Sequence, residues 1–302
     1  MRILVLSFLF AALVLGADAA PEDTGGPEVL VSITPVYSIV ANVMQGGGRI
    51  TSLLRGGVSP HTYVLAPSDE AKIARADVIF WVGPSLEKFL VEPLANLAPN
   101  ARVIALSDAE GVRLLPARTG RLWDNDAEPD HSGGVDGHIW LDPDNLIAIA
   151  RAAAQVLSEV NPKYARLYAA NAEAFAFRTK FLDTGLAKQL ELVRGRPFIV
   201  FHDGYQYFEA HYGLTSVGAV VDTGRVEEIR ARIKSTGARC VLSTRETSPQ
   251  LVRALTQGML VRTATIEALG INIPLGTILY QTLLSRIATT LESCLGGGQA
   301  SP

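Results

Sequence analysis

Short apolar runs alternate along the chain with longer stretches of helical periodicity. Three runs precede residue 110 and three follow residue 195, at 29–33, 78–82 and 103–106, then at 198–201, 217–221 and 240–243. Brief β-rich runs separated by helical segments are typical of βαβ units with parallel strands. The pattern therefore predicts an α/β protein of two lobes, each with a mainly parallel sheet flanked by helices.

A long helical region separates the two sets of runs. Asp142-Pro143 and Asn161-Pro162 each place an N-cap residue before a proline at the first helical position. The first predicts a helix over 146–160, and the second predicts one over 162–193, about 48 Å long at 1.5 Å per residue. Apolar residues follow this second helix at three- and four-residue steps: Tyr164, Leu167, Tyr168, Phe175, Phe181, Leu182, Leu186, Leu190 and Val193.

These elements predict the order of domains. We expect an N-terminal lobe over 20–161, a rigid linking helix over 162–194 and a C-terminal lobe over 195–302. Residues 1–19 have the form of a signal peptide, with a basic start, an apolar run and a small-residue cleavage site at Ala17-Asp18-Ala19. The apolar run falls short of the roughly 20 residues that cross a bilayer, which favours a cleaved signal and a soluble exported protein.

Charge excludes one class of partner. The 27 basic and 30 acidic residues nearly balance, and the basic ones are scattered instead of forming a patch with aromatic side chains. We therefore expect no nucleic-acid partner. The chain also contains no Walker-type phosphate-binding motif, so we expect it not to hydrolyse nucleotides through a P-loop.

Periodicity is lost between Pro116 and Gly137, which predicts a flexible acidic surface loop. One histidine, His131, lies among its carboxylates, which are Asp124, Asp126, Glu128, Asp130 and Asp136. These groups could hold a cation weakly, while a solvated polar loop is the plainer interpretation.

Three of the five histidines lie in comparable settings. His61 follows Ser59-Pro60, His138 directly precedes a predicted helix, and His202 ends a predicted strand. Ligands of α/β proteins gather at the carboxyl ends of strands. A single histidine there is usually a satisfied polar residue, whereas three neutral imidazoles with one oxygen suit Zn²⁺. Three histidines also suit a zinc hydrolase, but the chain contains no His-Glu-x-x-His motif.

Cys240 and Cys294 are the only two cysteines. An even number of cysteines in an exported protein favours a disulfide. Two separately buried thiols remain the alternative at this point.

Four segments resemble one family. Ser-Pro-His-Thr-Tyr-x-Leu-x-Pro-Ser-Asp from Ser59, Ala-Asp-Val-Ile-Phe-Trp-Val-Gly from Ala76, the stretch 137–143, and Phe-His-Asp-Gly-Tyr-Gln-Tyr-Phe from Phe201 are similar to the ZnuA type, the zinc branch of the cluster A-I solute-binding proteins of ABC importers. The similarity runs from about Val29 to Leu295. It implies a periplasmic protein without enzymatic activity that binds Zn²⁺ with high affinity between two lobes and delivers it to an ABC transporter permease.

The resemblance also implies roles for individual residues. His61 and His138 of the first lobe and His202 of the second become metal ligands, and Cys240 and Cys294 become a disulfide pair. Manganese members have a carboxylate at the position of His202, which favours zinc over manganese, and a manganese- or iron-binding member of the same family stays the alternative.

Two positions depart from the family pattern. Glu267 stands where members have an aspartate near the metal, so either Glu267 or water is the fourth ligand. Zinc-binding members often carry a long histidine-rich stretch in this loop, whereas this chain has only His131 there. At most a weak auxiliary metal site is therefore expected. We expect a monomer, and a periplasmic metallochaperone that loads the zinc stays open.

Overall fold

The computed structural model describes residues 26–55, 57–120, 122–123, 134–220 and 223–297. The predicted signal peptide and His131 lie outside these residues. Within these ranges no helix has both the length and the apolar character that a membrane crossing requires.

The first sheet has four parallel strands in the order β2-β1-β3-β4. The strands are β1 (Glu28–Val31), β2 (Arg49–Ser52), β3 (Val78–Trp81) and β4 (Arg102–Ala105). Helices α1 (Thr34–Val43), α2 (Pro67–Arg75) and α3 (Val91–Leu97) form the crossovers between them. The central strands β1 and β3 are almost fully buried, which explains why they read as unbroken apolar runs.

The second sheet repeats this arrangement in the order β6-β5-β7-β8, again with every pair parallel. Its strands are β5 (Pro197–Val200), β6 (Thr215–Ala219), β7 (Cys240–Ser243) and β8 (Arg262–Thr265). The crossovers contain α6 (Gln206–Tyr212), α7 (Val226–Thr236) and α8 (Pro249–Thr256), and α9 (Leu279–Gly296) follows the last strand. The predicted fold of two parallel sheets flanked by helices is confirmed.

Strands β2 and β8 have no counterpart among the predicted runs. Both lie at a sheet edge, and their sequences, Arg-Ile-Thr-Ser and Arg-Thr-Ala-Thr, contain no apolar run. An edge strand has a solvated side, so its side chains need not be apolar.

Two helices lie between the sheets in sequence. Helix α4 (Pro143–Val160) begins at its predicted N-cap, where the Asp142 carboxylate accepts the Asp144 N–H at 3.0 Å. Helix α5 (Ala165–Leu190) has 26 residues and spans about 39 Å, with 3₁₀ turns at Pro162–Tyr164 and Glu191–Val193. The long linking helix is therefore present, but its first and last turns are 3₁₀ and not α-helical. The exact bounds of the two lobes stay predictions.

The apolar face predicted along α5 is interrupted. Tyr168, Phe175 and Leu186 are buried, but the side chain of Phe181 is 79% exposed. Phe181 follows the buried Thr179 by two residues, which places it about 200° further around the helix. Spacing by three and four residues drifts around a long helix, so the prediction for Phe181 was wrong.

The two lobes share one continuous apolar core, to which α1, α4, α5 and α9 all contribute. Hydrogen bonds also cross between the lobes. Trp140 Nε1 donates to the carbonyl of Ala268 at 2.8 Å, and Asn42 Nδ2 donates to that of Thr277 at 2.7 Å. The hydroxyl of Thr34 donates to the Leu269 carbonyl. These bonds hold the segment after β8 against the first lobe.

Cys240 of β7 and Cys294 of α9 form a disulfide, with their Cα atoms 5.7 Å apart. Both cysteines are buried. The predicted pairing is confirmed, and the bond fixes the last helix to the second sheet.

Candidate metal centre

Three separate connections bring the predicted histidines to one place. His61 lies in a turn between β2 and α2, His138 directly precedes a 3₁₀ turn at Ile139–Leu141, and His202 lies between β5 and α6. His202 thus stands just beyond the carboxyl end of a parallel strand, where ligand sites of α/β folds form.

The three imidazoles are close neighbours. His138 Nε2 lies 3.0 Å from His202 Nε2 and 3.4 Å from His61 Nε2. One ring nitrogen from each histidine lies within 4.8 Å of those of the other two. His138 is buried, and the other two rings are half-buried beside a cavity of about 290 Å³. The structure therefore brings the three histidines together.

Asp136 orients the side chain of His138 through two contacts. Its Oδ1 atom lies 2.7 Å from His138 Nδ1 and accepts the backbone N–H of the same histidine at 2.9 Å. A carboxylate at this distance favours the tautomer with hydrogen on Nδ1, and the ring turns Nε2 towards the other two histidines. Asp136 is buried, so its assignment to a solvated surface loop was wrong. A carboxylate two residues before a candidate histidine was the available sequence signal.

Gly204 leaves room for the imidazoles to meet. A Cβ atom at this position would lie 2.7 Å from His202 Nε2 and 2.9 Å from His138 Nε2. Any larger side chain would displace one of the rings. The glycine in His-Asp-Gly is thus a steric requirement of the site.

Glu267 lines the same cavity but turns its carboxylate to the backbone. Its oxygens accept the N–H groups of Leu269 and Gly270 at 2.5 Å and that of Ile271 at 2.8 Å. Burial raises the pKa of Glu267 despite these bonds. Among the described residues, the cluster of close ligand atoms at this site consists of the three histidines without Glu267. Its role as fourth ligand stays a prediction.

His211 belongs to a different cluster. Its Nδ1 lies 3.0 Å from Asp142 Oδ1, and its Nε2 lies 2.9 Å from Asp183 Oδ1. Burial opposes protonation of His211, but the hydrogen bond and charge of Asp142 and those of Asp183 outweigh it and raise the pKa. A protonated imidazole can donate to both carboxylates at once, so His211 links α6 to α4 and α5 as an ion-pair bridge.

The fold and the cavity beside the histidines together define a two-lobed solute-binding protein. Its three imidazoles converge between the lobes. A family model described as "Zinc-uptake complex component A periplasmic" matches residues 29–294. The chain belongs to this family, the ZnuA family, as its motifs predicted. The proteins of the family are periplasmic solute-binding components that work with an ABC transporter permease and ATPase.

Individual relatives agree with this assignment. The high-affinity zinc uptake system protein ZnuA of Brucella abortus (strain 2308) is 36% identical over 97% of this chain and 98% of its own length. The protein of the same name from Yersinia pestis is 32% identical over 96% of each.

Solved structures agree in fold. A crystal structure of ZnuA matches with a TM-score of 0.76 and 22% identity over 90% of this chain and all of its own. The periplasmic zinc-binding protein TroA of Treponema pallidum matches with a TM-score of 0.76 and 20% identity over the same shares. At these identities the likeness supports the fold alone.

Proposed function

We propose that this chain captures Zn²⁺ between its lobes on His61, His138 and His202 and delivers it to the permease of an ABC importer. The observation that carries the proposal is the convergence of three ring nitrogens within 4.8 Å of one another. Zinc is the cargo of the protein and not a resident cofactor.

The distances suit a zinc ion. Zinc binds histidine nitrogen at about 2.0 to 2.1 Å in a tetrahedron, which places neighbouring nitrogens about 3.3 to 3.4 Å apart. Two of the three observed separations, 3.0 and 3.4 Å, are close to this value, and the third is within 4.8 Å. Small movements of the His61 and His202 rings would therefore admit the ion.

The donor set favours zinc over manganese. Neutral imidazole suits zinc, whereas manganese prefers carboxylate and other oxygen ligands. The one carboxylate that the family pattern offers, Glu267, accepts three backbone N–H groups. The same bonds engage both oxygens of Glu267, which makes this carboxylate a poor general base for a zinc hydrolase.

The proposal has further parts, of which the family supports the periplasmic location and the ABC transporter partner. The chain is exported by residues 1–19, acts as a soluble monomer in the periplasm, and has no enzymatic activity. Its partner is a membrane permease whose ATPase supplies the energy. A metallochaperone that loads the zinc stays a prediction, as does a weak auxiliary site at His131.

Metal analysis tests the proposal directly. We expect protein purified without added metal to contain close to one zinc per chain and to prefer Zn²⁺ over Mn²⁺ in a competition titration. His61→Ala, His138→Ala and His202→Ala should each weaken zinc binding by at least about tenfold, because each removes one of three ligands. His131→Ala, which removes an imidazole that is not one of the three proposed ligands, is the control. Undiminished zinc binding in all three cluster variants would refute the proposal.

A further inference from the structure

A group of charged residues adjoins the segment that bears His202. Its centre is Arg118, whose NH2 group lies 3.1 Å from Glu209 Oε1 and 3.3 Å from Asp203 Oδ1. The NH1 group of the same guanidinium donates to Ser216 Oγ at 2.6 Å. The side chains of Arg118 and Asp203 are 16% and 15% exposed, so these ion pairs are largely shielded from water.

The partners of Arg118 belong to the second lobe. Asp203 directly follows His202, Glu209 lies in α6, and Ser216 lies in β6. Glu209 Oε2 also accepts the backbone N–H of Ser216 at 3.1 Å and its hydroxyl at 2.7 Å. Arg118, Glu209 and Ser216 thus form a closed set of contacts, and the ion pair with Asp203 connects this set to the turn that bears His202.

Arg118 itself comes from the stem of the 116–137 loop. The two ends of this loop pair through a bridge between Pro116 and Val135, and Ala117 N–H donates to Gly134 O at 2.9 Å. The stem continues to Asp136, which holds His138. The stem therefore carries both Asp136, which orients His138, and Arg118, which contacts the segment that bears His202.

Two aromatic side chains, Trp123 and Tyr207, also hold the stem in place. The guanidinium of Arg118 lies over the ring of Trp123, with Cζ 4.3 Å from the ring centroid. The hydroxyl of Tyr207 in α6 donates to the Asp136 carbonyl at 2.8 Å and accepts the Leu115 N–H at 2.9 Å. Arg118 therefore has a defined orientation between two anchored segments.

We propose that Arg118 is a positioning residue for zinc binding, holding the His202 segment and the stem that orients His138 at the separation the metal requires. This inference rests on the function proposed above and assigns to it a residue that does not touch the metal. Guanidinium is suited to the task because one planar group pairs with two carboxylates through NH2 while NH1 donates to a hydroxyl, whereas the ammonium group of lysine is a compact point charge.

The positive charge of Arg118 allows a positioning role to be distinguished from a direct electrostatic effect on the zinc ion. A cation near the site repels Zn²⁺, so electrostatics alone predicts that removing it tightens zinc binding. Positioning predicts the opposite, because Asp203 and Glu209 would lose their common partner and the two ligand segments would move apart. The direction of the change decides between them.

The test compares Arg118→Gln with Arg151→Gln in the full mature chain. Arg151 pairs with Glu173 on the exposed surface of α4 and α5, so its variant loses the same charge outside the cluster. Zinc affinity and dissociation rate would be measured by chelator competition, and site geometry by the visible spectrum of the Co²⁺-loaded protein. We expect Arg118→Gln to weaken zinc binding about tenfold, mainly through faster dissociation, and to alter the cobalt spectrum. Arg151→Gln should match the parent, and Arg118→Lys should recover only part of the affinity.

Unchanged or tighter zinc binding in Arg118→Gln, with the parent cobalt spectrum, would overturn the inference. If Arg118→Gln does not fold, Ser216→Ala decides, because it removes the NH1 acceptor and keeps every charge. We expect about two- to threefold faster zinc release from Ser216→Ala, and an unchanged rate would overturn the inference. If the parent chain binds zinc and these variants behave like it, the inference alone fails. If the parent chain does not bind zinc, the proposed function fails and the inference fails with it.

Discussion

Substitution of Asp136 tests how His138 is prepared for the metal. One carboxylate oxygen accepts both the Nδ1 proton of His138, at 2.7 Å, and its backbone N–H, at 2.9 Å. In Asp136→Asn the amide oxygen can still accept both bonds, so the variant removes charge and keeps geometry. In Asp136→Ala both bonds are lost, and the His138 ring can turn or take the other tautomer.

The size of each effect follows from these contacts. Loss of the partner that orients a metal-bound histidine typically costs 10- to 100-fold in affinity, or about 1.4 to 2.7 kcal/mol. We expect Asp136→Asn near the lower end, because a neutral acceptor makes a weaker bond than a charged one. Asp136→Ala should reach the upper end. It should also lower the free energy of unfolding by about 1 to 3 kcal/mol, because it leaves a buried N–H without its acceptor.

Chelator competition would measure zinc affinity, and urea denaturation of the metal-free protein would measure stability. Asp108→Asn, which alters an exposed carboxylate, is the control. A zinc affinity of Asp136→Ala within about twofold of the parent would refute the view that this carboxylate prepares His138.

Two further predictions concern stability. Replacing Cys240 and Cys294 with alanine opens a loop of 54 residues and should lower the free energy of unfolding by about 4 kcal/mol on the chain-entropy estimate; a urea midpoint equal to that of the oxidised parent would contradict this. His211→Gln should cost about 1 to 2 kcal/mol at pH 6, where His211 is protonated between Asp142 and Asp183. Because its pKa is raised in the folded state, this contribution is complete below the ordinary value of 6.5 and declines as pH rises through the folded pKa. Equal losses in His211→Gln at pH 6 and pH 9 would show that the charge contributes nothing.

The fold could be predicted largely because its central strands are buried on both faces. Strands such as β3 and β7 read as unbroken apolar runs, since helices cover both sides of the sheet. The polar edge strands β2 and β8 give no such signal. Their pairing is imposed by the neighbouring strand and not by their own composition.

The candidate site could be predicted only in part. His61, His138 and His202 stand in recognisable motifs, so their convergence could be expected. Arg118 contacts residues about 85 to 100 positions away in sequence, and no local pattern indicates such a contact. The motif left Glu267 or water as the fourth ligand, and it gave no sign that the carboxylate of Glu267 accepts three N–H groups from the turn that follows it. Motifs identify residue types, and only the folded chain decides where each side chain turns.

The shared core of the two lobes has a consequence for how the molecule comes apart. Apolar side chains from both sheets and from α1, α4, α5 and α9 meet in a single cluster, and Asn42 and Trp140 reach across to carbonyls on the other side. A fragment cut at the end of α5 would leave a wide apolar surface in water on either piece. The halves should therefore melt together in a single calorimetric peak, and neither should persist as a separately expressed domain.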